Sequence, residues 1–461
     1  MTALILCWLI APAGLLIISI GLSLLVERLA DFPVPWSVRP ALGLSTAIVI
    51  AQFGTATDAT AGLTVPTILA LAAIGLLLGY GLLERIPSGW GTGAALAVFA
   101  VFAAPFLVIG RATWAGYIKL DDTATWMALT DHVFEFGRGV GNLAPSTHAV
   151  IINDYLSGGY PVGSFVPAKL MSVISGQDVA WTMQPSMAFA AAVLAMLIFG
   201  LVRPIVRGQP AAAMIATVGS LSSLLLGYSL WGGVKELVVA ALLPLGPALA
   251  GHASRKGWPS LVAVPIGIAG AALIASLGTG GLIWLLPTLL PALIVLLLDR
   301  GRANAIRVAG WTLVVLLVLA IPVVITPEGV FNPLQKSLTI ESELGNLNGP
   351  LNALHIAGLW PALDFRTDPH LKPAVLALAV VCLGLAAGTV FACVRLRGRL
   401  GVPFAAYAGG AAAGAVAIIL VGSPWVDAKA MATASPALLA AAMLGIVLIR
   451  QRTAFRVEAT V

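Results

Sequence analysis

Ala94-Ala-Leu-Ala-Val-Phe-Ala-Val-Phe-Ala-Ala-Pro-Phe-Leu-Val-Ile109 carries no charged side chain, and shortly after it the chain reads Gly116-Tyr-Ile-Lys-Leu-Asp-Asp-Thr-Ala-Thr-Trp126. The first stretch has the polarity of a membrane-crossing helix, which needs about 20 mostly apolar residues, and its span is read over 92–112. The second carries two adjacent carboxylates, Asp121 and Asp122, and lies in the longest polar segment of the chain, from about Trp114 to Asp178. An acid pair just beyond an apolar span reads either as chemistry at a membrane surface or as a cap, Asp122, on a surface helix starting at Thr123 with Asp121 solvated.

The rest of the sequence agrees. Hydrophobic residues make up 59% and charged residues 10%, with a mean hydropathy of +1.01. Soluble domains carry about 25% charge, so a soluble protein is excluded. The apolar runs are too long, and alternate too little, for a β-barrel. The expected fold is therefore all-α, a polytopic bundle of about 13 spans read over 3–26, 41–57, 63–83, 92–112, 180–202, 211–228, 234–251, 259–277, 280–298, 306–326, 373–394, 403–421 and 431–449. The run from Ala3 to Val26 has no basic segment before it and is read as the first span rather than a cleaved signal. Cys7, Cys382 and Cys393 all fall in apolar runs, which is the pattern of buried free thiols.

Charge sets the expected orientation. If alternate loops are assigned to one side, that side collects 16 of the 25 basic residues and 5 of the 19 acidic ones, including Arg203, Arg207, Arg300, Arg395 and Arg450. The other side is net acidic. Basic loops stay in the cytoplasm, so the net charge of +6 marks topology rather than a nucleic-acid partner. This reading puts the N-terminus outside and the C-terminus inside. A single membrane domain, 1–461, then divides into spans (1–112), a first outer segment (113–180), central spans (181–326), a second outer segment (327–372) and C-terminal spans (373–461). Both long polar segments face outward, with His132, His148, His355 and His370.

The first outer segment is expected to be structured. Trp126, Leu129, Val133 and Phe136 recur at helical spacing, and 147–156 and 162–174 read as two more short helices around the turn Ser157-Gly-Gly-Tyr-Pro161. Such helices would lie along the membrane surface. Gly278-Thr-Gly-Gly281 reads as a tight turn between spans, and the Gly, Asn and Pro content of the second outer segment reads as loop.

At the acid pair and the segment that follows it, Thr125 to Phe136, the chain resembles the GT-C superfamily of membrane glycosyltransferases. Gly159-Tyr-Pro-Val-Gly-Ser-Phe165 and Ser423-Pro-Trp-Val-Asp-Ala-Lys429 resemble actinobacterial membrane proteins of this type. Members carry a short acidic motif in an early outward loop, then surface-lying helices and a many-span bundle. The resemblance covers the architecture of most of the chain, with two departures. Three additional spans precede the acidic loop, and no sizeable soluble domain is expected at the C-terminal end. It implies an inverting transfer of a sugar from a polyprenyl-phosphate donor to a glycan, lipid or protein acceptor at the outer face of the bacterial cytoplasmic membrane.

In that reading Asp121 is the general base. Asp122 is its partner or, with Asp121, a ligand for a divalent cation such as Mg or Mn. Asp154 and Tyr155 suit sugar hydroxyls and faces. The leaving phosphate needs cations, for which the outer candidates are Lys119, Arg138, Lys235, Lys336, Arg366, Lys372 and Lys429. Lys235, Arg366 and Lys429 are favoured, with Lys235 and Lys429 otherwise readable as interfacial lysines paired with Glu236 and Asp427. The rival functions are a transporter or flippase of lipid-linked sugars and a non-catalytic membrane partner protein. A transporter places ionisable residues near mid-bilayer, and these spans hold almost none. An enzyme requires the outer acids and cations to converge; scattered positions would favour the partner protein.

Overall fold

The computed structural model describes residues 1–83, 89–109, 121–141, 143–258, 261–298, 302–324, 344–360, 372–396 and 398–458. Among these residues the chain is helical and has no strand. Every apolar run named above forms helix, giving a bundle with the make-up of a multi-pass membrane protein. Ten helical stretches, from Thr2–Leu29 to Pro424–Gln451, are long and apolar enough to cross a bilayer. An eleventh is added if Gln209–Ser220 and Ser223–Trp231, which meet at 50°, count as one broken span.

With the broken span included, the difference between eleven and thirteen has two sources. One of the ten, Ala263–Val295, joins two of the expected spans through the turn Gly278–Gly280. The other is Arg39–Gly54, which has 16 residues. At 1.5 Å per residue it is about 24 Å long, short of a hydrocarbon core about 30 Å thick.

Burial separates centre from periphery. In Val179–Val202 and Val234–Lys256, 89% and 94% of the most apolar stretch is buried, against 22% in both Ala303–Val324 and Pro373–Arg395. The latter two leave Leu317, Val318, Val380 and Val381 exposed, as lipid-facing helices do. The short helix Arg39–Gly54 is the opposite case, buried from Arg39 to Gln52 at every residue except Ile50. A helix apolar on all faces belongs in a protein interior. It packs very closely on Thr2–Leu29, because a Cβ at Gly43 would collide with the Ser19 carbonyl. Small residues at such crossings let membrane helices associate without polar glue.

At its N-terminal end this buried helix carries an ion pair. Arg39 Nε donates to Glu27 Oε1 at 2.9 Å and Nη2 to Oε2 at 3.0 Å. Glu27 also accepts from Ser23 Oγ and the Val34 amide, and Arg39 Nη2 donates to the Leu82 carbonyl. The two side chains are 0% and 4% exposed. Full hydrogen bonding is what makes so deep a charge pair tolerable, and here it ties together three segments of the N-terminal bundle.

Candidate functional site

The site begins at a helix start. Asp121–Phe136 is one helix, longer at its N-terminal end than the spacing of its apolar residues suggested. Its first turn holds Asp121 and Asp122 by backbone position, where negative charge complements the helix dipole; their side chains lie outside the described set. Trp126, Leu129 and Val133 are buried as expected, while Phe136, at the C-terminal end, is 41% exposed.

The helix start is pinned by the residue after the acid pair. Thr123 Oγ1 donates to the Trp231 carbonyl at 3.2 Å. Trp231 closes the helix Ser223–Trp231, and Gly232 follows in the left-handed region at φ 87°. A Cβ there would run into the Thr123 hydroxyl, so glycine serves both the turn and the close approach. The next helix, Val234–Leu242, starts at once and carries Lys235 in its first turn.

Lys235 reaches an aromatic cluster. Trp126 stacks on Tyr160 and Phe165 at 5.2 and 5.5 Å between ring centroids, and Tyr155 meets Trp126 and Tyr160 edge-on at 5.5 and 4.9 Å. The Lys235 ammonium lies 4.2 Å from the Tyr160 ring centroid and 5.3 Å from that of Trp126. These are cation–π distances. Tyr155 comes from the helix Thr147–Ser157 and Tyr160 from the turn after it.

A second group lies on the other side of Trp231. Tyr228 packs on Trp231 and Trp425 at 5.2 and 6.0 Å, and the Lys429 ammonium sits 4.6 Å from the Trp425 centroid, one helical turn away. Glu236 is 8% exposed and its charge acts on the Tyr228 phenol. Lys235 and Glu236 therefore do not pair with each other. Successive helical residues point about 100° apart, so the lysine joins one group and the glutamate the other. Among the described residues Lys429 forms no ion pair with Asp427 either.

The remaining expectations divide. Lys119 and Arg366 lie outside the described residues. Asp154 is exposed and makes no hydrogen bond or ion pair among the described residues, so it does not join Tyr155 in the cluster. Asp131 pairs with Lys169 at 3.0 Å and Asp178 caps Val179–Val202, both structural roles. His132 donates Nε2–H to the Gly139 carbonyl at 2.8 Å. No group of three or more metal-binding side chains occurs among the described residues. Of the second outer segment, 325–343 and 361–371 are not described. Its described part is anchored to the bundle, with the Ser223 amide donating to Gly358 O and Trp360 Nε1 to Leu221 O, both at 3.0 Å.

Arg138 was one of several outer cations in the sequence, and the structure singles it out. Its Nη1 donates to the Tyr160 carbonyl at 3.1 Å and its Nη2 to Gln52 Oε1 at 3.3 Å, while Nε is buried with no partner. Gln52 is 1% exposed, and its Nε2 is likewise buried without one. Burial lowers the Arg138 pKa from its ordinary value, though a guanidinium stays ionised in proteins. Among the described residues the charge is thus met by neutral acceptors alone. Gln52 belongs to the last turn of Arg39–Gly54, whose dipole offsets about 0.3–1 kcal/mol; desolvating an ion costs several. The only local signal for this arginine is its setting between two glycines, Gly137-Arg-Gly139.

An apolar cleft of about 270 Å³, lined by residues including Trp8, Leu16, Trp36, Phe99 and Phe189, shares no residue with these groups. No family model, curated protein or solved structure matches this chain.

Proposed function

We propose that the protein is a membrane glycosyltransferase of the GT-C type, moving a sugar from a polyprenyl-phosphate donor to an acceptor hydroxyl at the outer face of the bacterial cytoplasmic membrane. The observation that carries this reading is convergence. The helix start bearing Asp121 and Asp122 is bonded through Thr123 to the same break that presents Lys235 to Tyr160 and Trp126. The backbone that carries the two acids is thereby tied to the segment that carries the cation, 108 residues away in sequence. In this reading the acids serve the hydroxyl, the aromatic faces the sugar and the cation the phosphate. A non-catalytic partner protein has no need of that arrangement.

The acceptor oxygen attacks the anomeric carbon and its proton passes to Asp121. The bond from that carbon to the phosphate oxygen breaks, and the electron pair leaves on the phosphate, where Lys235 offsets the developing charge. Lys429, Lys119 and Arg366 are further candidates for that role. Adjacent carboxylates offer hard oxygen donors that suit Mg or Mn, and such an ion would add positive charge beside the phosphate. The acceptor is a glycan, lipid or protein of the cell envelope. The basic loops favour an N-out, C-in orientation, which turns the site outward.

The test is sugar transfer from radiolabelled polyprenyl-phosphate sugars by wild-type protein and Asp121→Asn, which keeps the size and removes the base. General bases contribute about 10²–10⁴-fold, and a rate loss in that range at unchanged expression is expected. Full activity in the variant would remove Asp121 from the mechanism.

A further inference from the structure

We infer that Arg138 and Gln52 form a binding site for a phosphate-class anion at the C-terminal end of the Arg39–Gly54 helix. The half-buried Arg138 and the buried Gln52 each hold a buried N–H donor, Arg138 Nε and Gln52 Nε2, that meets no acceptor among the described residues. They are already linked to each other through Arg138 Nη2 and Gln52 Oε1, so their free donors belong to one place. Among the described residues no carboxylate forms an ion pair with the guanidinium. Asp131 is engaged by Lys169, and Asp58 and Glu135 are exposed and form no ion pair with Arg138.

The anion must bring both negative charge and several acceptor oxygens, and a phosphate monoester or diester does so. A guanidinium fork is shaped for it. Tyr160 sharpens the assignment. Its carbonyl accepts from Arg138 while its ring lies under Lys235, so two cations flank one residue, as an extended phosphate ligand requires. The phosphate belongs either to a lipid headgroup or to a free anion. Binding here does not depend on sugar transfer being the reaction, so the site stands or falls apart from that proposal.

The experiment uses the full chain in nanodiscs of phosphatidylcholine. Undecaprenyl phosphate is added in one arm and inorganic phosphate in the other, and binding is read from intrinsic tryptophan fluorescence and from the melting temperature. Three proteins are compared: wild type, Arg138→Met and Gln52→Glu. The last supplies an internal carboxylate to the guanidinium, so it is expected to fold at least as stably as wild type and to bind at least ten-fold more weakly. Arg138→Met is expected to weaken binding to a similar extent. Saturable binding of the lipid alone assigns the site to a headgroup; binding of both probes assigns it to phosphate itself. No saturable binding by wild type, or undiminished affinity in Gln52→Glu, overturns the inference. So does a Gln52→Glu protein that melts below wild type, because the guanidinium would then already have its counter-charge.

Discussion

The helix Arg39–Gly54 meets an arginine at each end, Arg39 buried and Arg138 half-buried, and the two are handled in opposite ways. Arg39 sits at the N-terminal end, where the helix dipole repels a cation, and it is met by a carboxylate and a carbonyl with every hydrogen bond made through Nε and Nη2 in place. Arg138 is received at the C-terminal end, where the dipole favours it, yet it has only two neutral acceptors and a buried Nε without one. A completed pair is what a fold needs. An incomplete one costs stability, and its persistence beside Tyr160 and Lys235 makes sense as a place kept for a ligand.

The largest effect should come from breaking the completed pair. Glu27→Ala leaves Arg39 buried and unpaired, and a loss of about 3–5 kcal/mol is expected from such a change. Unfolding in detergent would measure it, and a loss below about 1 kcal/mol would show that the pair is not structural. A smaller, purely functional effect is expected at the incomplete end. Lys235→Gln removes a cation that rests on Tyr160 and Trp126, an interaction of about 0.5–1 kcal/mol where exposed. Donor KM should rise several-fold while the melting temperature moves little. A large drop in stability with unchanged kinetics would instead make Lys235 a packing element.

Much of the fold could be read from the chain. The apolar runs became helices, and the short helices expected at 147–156 and 162–174 appear as Thr147–Ser157 and Val166–Ser175. Those signals are local, carried by period, capping and turn residues. Tyr155 and Lys235, which stand out in the sequence because they lie in the polar outer stretches, do meet one aromatic cluster in the fold. What escaped is all long-range. Glu27 and Arg39 read as ordinary loop charges, and Gln52 lies 86 residues from Arg138, a partnership no spacing rule records. Lys235 and Glu236 read as neighbours in a pair, and the helix sends them to different groups. The counts of spans differ for a related reason, since an apolar run of 16 residues can be a core helix as readily as a membrane span.

The central claim is that Arg39 holds the fold and Arg138 holds a ligand. It is tested most directly by Arg138→Met, with melting temperature and undecaprenyl-phosphate affinity read on the same preparation. Replacing an uncompensated buried charge by an apolar side chain of similar length is expected to leave stability unchanged or raise it, by about 1 kcal/mol, while affinity falls at least ten-fold. A variant that melts well below wild type and binds the lipid phosphate just as tightly would contradict the account, and would place Arg138 with Arg39 among the residues that only hold the bundle together.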